Sequence, residues 1–199
     1  MKELKYFHVD GSVGWNQEEF TDWSMYDGGC AAVTACDLSI FLARKKRFSA
    51  LYPYDPFHVR REDYLAFSEE MKPYLRPRWQ GIDTLELYLD GLSAYWRDRG
   101  AFSLRGSGIP GTVQWQQAGE MVRTQIDAGF LIPCLLLYHR KSIFQEFQWH
   151  WFNIAGYENA GDEMYVKAIT YGRAYRLNFR EMWDTGYRRK GGLIKIEIQ

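Results

Sequence analysis

Apolar positions follow two rhythms along this chain, helical through the first half and strand-like through the second. Residues 30–43 are almost continuously apolar, interrupted only by Thr34, Asp37 and Ser39. A helix apolar nearly all round is a buried one, and Ala31, Ala32 and Ala35 let other backbone approach its first turns. Residues 60–71 and 82–99 carry apolar positions at helical spacing. Between them Lys72-Pro73-Tyr74-Leu75-Arg76-Pro77 must interrupt a helix. A further helix is predicted over 113–128, with Gly129 as its stop.

From there the period changes. Residues 131–139, 147–157, 164–171 and 192–198 read as strands. The segment Glu158-Asn159-Ala160-Gly161-Asp162-Glu163 has turn chemistry, so the second and third strands should form a hairpin. Residues 178–184 suggest a short helical turn. Helices first and antiparallel strands afterwards predict an α+β fold with segregated layers: one domain over 1–199, helical to about 129 and sheet from about 130.

Composition narrows the class. A chain of 199 residues can bury a substantial core as one domain. Its aromatic fraction of 17% exceeds ordinary usage and predicts aromatic-lined clefts or dense aromatic packing. Zero net charge and the lack of a long basic run leave nucleic-acid binding unsupported. Three cysteines at irregular spacing argue against a disulfide framework or a zinc ribbon, and nothing indicates a metal or an organic cofactor. The N-terminus lacks the apolar core of a signal peptide, and the longest apolar run, 130–138, is too short to span a bilayer. No membrane association and a reducing cytoplasm are the expectations.

The chemistry centres on Cys30, which follows Gly28 and Gly29 and opens the apolar helix. Unpaired N–H groups and the positive dipole end converge at a helix N-terminus and stabilise a thiolate. The glycines leave space before the sulfur, and the Cys30 N–H can face a developing oxyanion. The bland alternative is a small buried thiol. Cys36 and Cys134, inside apolar segments, read as inert core thiols.

A thiol nucleophile needs a base. His8 lies in an irregular N-terminus, His58 in a Pro-rich loop, and His139 beside Arg140 and Lys141. His150 lies within Phe147-Gln148-Trp149-His150-Trp151-Phe152-Asn153-Ile154, sharing a strand face with Phe152 and Ile154 while Trp149, Trp151 and Asn153 face the other way. It is either a satisfied core histidine or one lining a cleft.

A cysteine opening a buried helix, then a histidine on a strand running into Gly156-Tyr157 and a hairpin, resembles the papain-like cysteine peptidase superfamily. The following strand, Tyr165-Val166-Lys167-Ala168-Ile169-Thr170-Tyr171-Gly172, stands where that superfamily carries its Val-Lys-Asn-Ser-Trp-Gly or Val-Asn-Asp-Pro type segment. Within it the chain looks most like short bacterial peptidases related to bacteriocin-leader processing. The resemblance implies a papain-like fold and catalytic roles for Cys30 and His150, with Gln17 as the oxyanion-holding glutamine; a surface Gln17 is the equal alternative. The superfamily's orienting Asn or Asp is replaced by Ala168 or Ile169, and Thr170 is the nearest group able to hydrogen-bond.

The implied function is a thiol-dependent hydrolase or peptidase acting on a peptide or a small amide or ester. An acyltransferase of the same fold, or an inactive papain-like domain binding a peptide or small ligand, stays open. The helical middle around Tyr74, Trp79 and Trp96 would either cover the cleft or serve as core.

Overall fold

The computed structural model describes all residues except 46–47 and 79–80, so the expectation for Trp79 lies outside the described residues. In chain order the elements are β1 (Lys2–Glu3), β2 (His8–Val9), β3 (Ser12–Val13), α1 (Trp23–Gly28), α2 (Cys30–Lys45), α3 (Arg61–Met71), α4 (Leu85–Asp98), β4 (Leu104–Pro110), α5 (Trp115–Asp127), β5 (Ile132–Leu136), β6 (His150–Ala160), β7 (Glu163–Thr170), β8 (Arg173–Asn178), α6 (Phe179–Trp183) and β9 (Gly191–Ile198). The fold is α+β.

An antiparallel sheet in the order β4-β9-β5-β6-β7-β8 forms its centre, with β1 added against the far end of β6. The predicted hairpin is present but tighter than expected. Ala160 pairs with Glu163, so the strands run through most of the turn-rich segment and only Gly161 and Asp162 remain outside the ladder. Gly161 takes φ 60° there, a value that glycine reaches without strain.

The layers are not segregated as expected, because helices cover both faces of the sheet. On one face α2, α3 and α4 pack with Leu135, Leu137, Trp151, Ala155 and Ile169. On the other, α5 and α6 pack with Cys134, Phe152, Ile154, Val166 and Ala168. The odd and even positions of β6 thus feed two different cores, as strand alternation requires.

The hydrophobic pattern missed the two-residue strands β1, β2 and β3 and two longer ones, β4 and β8. β4 (Leu-Arg-Gly-Ser-Gly-Ile-Pro) lies inside the nominally helical half and pairs with β9 along its whole length. Its glycines make room for α4: a Cβ on Gly106 would come within 2.6 Å of the Leu89 side chain, and one on Gly108 within 3.2 Å of Leu85. β8 carries Arg173, Tyr175 and Arg176 on an edge, where charge discourages pairing with another chain. Among the described residues, no helix is long and apolar enough to cross a membrane.

Candidate active site

The short helix α1 is capped by Asp22, whose side chain accepts from the Ser24 N–H at 2.9 Å. Only Gly29 separates α1 from α2. A Cβ on Gly29 would overlap the Met25 carbonyl oxygen that its own N–H bonds, so glycine is demanded by the tight helix junction. Gly28 borders the opening in front of Cys30. Of the two glycines, one shapes the backbone and the other leaves access.

Cys30 lines a cleft of about 510 Å³ together with Gly28, Arg78, Ile82, Leu137, Trp149 and Arg189. The N–H groups of Trp151, Ala31 and Cys30 itself face the sulfur and favour its thiolate. Burial opposes them and prevails. Cys30 is 8% exposed, and its thiol pKa stands above the ordinary value. This corrects the expectation of an exposed, acidified thiol: the helix N-terminus is present, but desolvation outweighs it.

His150 opens β6 directly after Trp149, whose φ is 54°. Its ring lies 6.5 Å from that of Phe152, and the next residue, Trp151, packs on the α2 side of the sheet. The Nε2 atom is 2.6 Å from Thr170 Oγ1. Tyr171 stacks on the imidazole with centroids 4.5 Å apart and planes 8° from parallel. Its hydroxyl is 3.3 Å from Nδ1. With the planes nearly parallel, that oxygen sits over the ring and outside the plane of the nitrogen lone pair, so the contact is stacking more than hydrogen bonding. Burial holds the imidazole pKa down to about 3, and the ring is neutral near pH 7.

Cys30 and His150 are therefore brought to the same few residues of β6, since the Trp151 N–H that faces the sulfur is next in sequence to His150. Among the described residues no hydrogen bond joins the sulfur to the ring; Thr170 holds Nε2 and Tyr171 covers one face. Thr170, the nearest residue able to hydrogen-bond in that stretch of sequence, is the one that holds Nε2, while Ala168 is packed in the core.

Gln17 sits in a single turn of 3-10 helix, and its side-chain amide donates to the Tyr26 carbonyl at 3.0 Å. It ties the N-terminal segment to α1. Two of the remaining histidines have other partners. His139 is buried with Nε2 2.9 Å from the Glu181 carbonyl, and burial lowers its pKa; exposed His58 faces Asp55. Cys36 and Cys134 are buried with thiol pKa values pushed up, as inert core residues should be. Trp96 is core, and Tyr74 donates to Asp98 at 2.9 Å.

Behind Cys30 lies a buried polar cluster that the sequence did not suggest. Asp37, two turns along α2, accepts from Tyr6 at 2.9 Å and from Tyr64 at 2.7 Å, and the Trp15 N–H also reaches it. Asn153 donates to Tyr6 at 3.1 Å and to the Thr34 carbonyl at 3.0 Å. Burial raises the Asp37 pKa to about 7 despite its three donors. The cluster joins β6, α2, α3 and the N-terminal segment, and so fixes the helix that carries the thiol. Trp151 adds a second anchor, with Nε1 donating to the Ile82 carbonyl at 2.5 Å and its ring stacked on Tyr88 at 4.1 Å.

Tyr171 and Trp151 were invisible as site residues because their roles depend on a turn and a backbone N–H, which carry no side-chain motif. Among the described residues no group of three His, Cys, Asp or Glu side chains is arranged to hold a metal. No family model, curated protein or solved structure matches the chain.

Proposed function

We propose that this chain is a papain-like thiol hydrolase that cleaves an amide or ester through an acyl-enzyme on Cys30. The observation that carries the reading is a thiol at the N-terminus of a buried helix, open to a cleft, with three backbone N–H groups converging on it. His150 supplies the base, and Thr170 fixes the ring by holding Nε2, which leaves Nδ1 for the thiol proton.

Both groups are neutral at rest, since burial raises the thiol pKa and lowers that of the imidazole. Proton transfer therefore accompanies attack. Nδ1 takes the thiol proton as sulfur bonds to the carbonyl carbon, and the carbonyl electrons move to oxygen. The N–H groups of Cys30 and Trp151 stabilise that oxyanion. Collapse expels the amine or alcohol with the imidazolium proton, and water or another acceptor releases the acyl group. Gln17 has no part unless its amide leaves the Tyr26 carbonyl.

A second reading, a papain-like domain that binds a peptide or small ligand without cleaving it, draws support from the Tyr171 ring over His150. Intact-mass spectrometry after mixing with p-nitrophenyl acetate separates the two. The hydrolase reading expects one acetyl group, mapped to Cys30, that decays with time and is at least tenfold slower to form in His150→Ala. Acetylation elsewhere, or formation indifferent to His150, leaves the binding reading.

A further inference from the structure

Beside the mouth of the cleft, Trp149, Tyr138 and Tyr187 form a continuous exposed ladder. The Trp149 and Tyr138 rings are 5.2 Å apart and edge-on, and Tyr138 and Tyr187 are 5.5 Å apart. They are 38%, 36% and 44% exposed, so three large rings face water together. A contiguous exposed apolar patch of this kind marks a contact surface.

Arginines cap both ends. The Arg189 guanidinium lies 5.0 Å from the Trp149 ring and is paired with Asp83. The Arg140 guanidinium lies 5.6 Å from the Tyr187 ring and, among the described residues, has no carboxylate partner. Its stem is held as well: a Cβ on Gly186 would come within 2.5 Å of Arg140 Cδ. A guanidinium laid over a ring keeps its in-plane N–H fork free, and that fork matches a carboxylate. Arg78, on the cleft wall, likewise has no acidic partner among the described residues. Asp27 is the acid among the described lining residues, so unpaired positive charge exceeds negative along the cleft and ladder.

We propose that this surface binds an acidic peptide segment, its apolar side chains on the Tyr138–Trp149–Tyr187 ladder and a carboxylate in the Arg140 fork. This names the substrate class of the proposed hydrolase and rests on that reading only for the claim that the segment is cleaved; the binding stands apart from it.

Isothermal titration calorimetry at low ionic strength tests it on Cys30→Ala protein, which removes turnover from the measurement. The probes are a capped Glu-Leu-Glu-Leu-Glu-Leu peptide, its Lys-Leu counterpart and a single-stranded oligonucleotide. The acidic peptide should bind, weaken about tenfold in an added Arg140→Gln change, weaken with salt, and also weaken in Tyr187→Ala. Equal binding of the lysine peptide, tighter binding of the oligonucleotide, or indifference to Arg140→Gln would overturn the proposal. If the acidic peptide binds as expected but wild-type protein leaves its bonds intact, the peptide surface stands and the hydrolase reading falls.

Discussion

His150 Nε2 and Thr170 Oγ1 are 2.6 Å apart, the shortest tie between the imidazole and the rest of the sheet. Thr170 ends β7 and His150 opens β6, so the pair closes the open end of two neighbouring strands. Thr170→Val keeps the shape and removes the partner. It should destabilise the protein by about 1 kcal/mol, measured by urea unfolding, and slow acetylation of Cys30 by roughly tenfold or more, because an unheld ring loses its tautomer and direction. A rate equal to wild type would remove Thr170 from the mechanism.

The resting protonation states set a pH profile. Burial holds the Cys30 thiol above its ordinary pKa and the His150 imidazole at about 3. Iodoacetamide should therefore label Cys30 slowly at pH 6 and progressively faster above pH 9, as the thiolate appears. A thiolate–imidazolium pair would instead give fast labelling that persists into mild acid. Rates by mass spectrometry across pH 5–10 distinguish them.

His150 and Asp37 drive stability in opposite directions with pH. The folded imidazole pKa, about 3, lies below the ordinary 6.5, so the unfolded chain binds the extra proton and stability falls as pH drops from 6.5 toward 3. The folded Asp37 pKa, about 7, lies above the ordinary 3.8, so its contribution is full below 3.8 and is lost as pH rises through 7. Asp37→Asn cannot ionise. Its melting temperature relative to wild type should therefore climb between pH 4 and pH 8, with a free-energy swing of up to roughly 4 kcal/mol. A difference that is flat with pH would mean that Asp37 is ionised in the fold throughout.

The Gly28-Gly29 pair illustrates what was legible in the sequence and what was not. The buried helix from Cys30, the strand carrying His150 and the alternation that sends Phe152 and Asn153 to opposite faces were all readable, because each rests on local periodicity. The Gly29 overlap with Met25 was not, since it depends on how closely two helices join. Depth of burial was the larger omission. It reverses the pKa shift expected of Cys30 and depends on the cleft walls, which distant segments supply. β4 and β8 escaped because their partners, rather than their own apolar residues, hold them as strands.

The junction gives a direct test. Gly29→Ala places a methyl group against the Met25 carbonyl, and relief requires α1 to shift from α2. Destabilisation of about 3 kcal/mol is expected, read by urea unfolding. Gly28→Ala meets Pro77 at 3.3 Å and should cost under about 1 kcal/mol. Equal costs would show that the junction yields.

Tyr171 is the last piece of the site with a measurable consequence. It sits in the turn between β7 and β8 with φ 50°, a region costly for a bulky residue, and spends that strain laying its ring over His150. Its hydroxyl reaches the Glu146 carbonyl at 3.2 Å, which holds the ring in place. Tyr171→Gly removes the cover and relieves the backbone. Water then reaches the imidazole, and the desolvation that keeps its pKa near 3 weakens. The His150 Cε1 proton, followed by NMR from pH 3 to 8, should titrate measurably higher in Tyr171→Gly than in wild type, while Tyr171→Phe, which keeps the stack, should leave it nearly unchanged. An unshifted titration in Tyr171→Gly would assign the burial of His150 to Phe152 and the sheet alone.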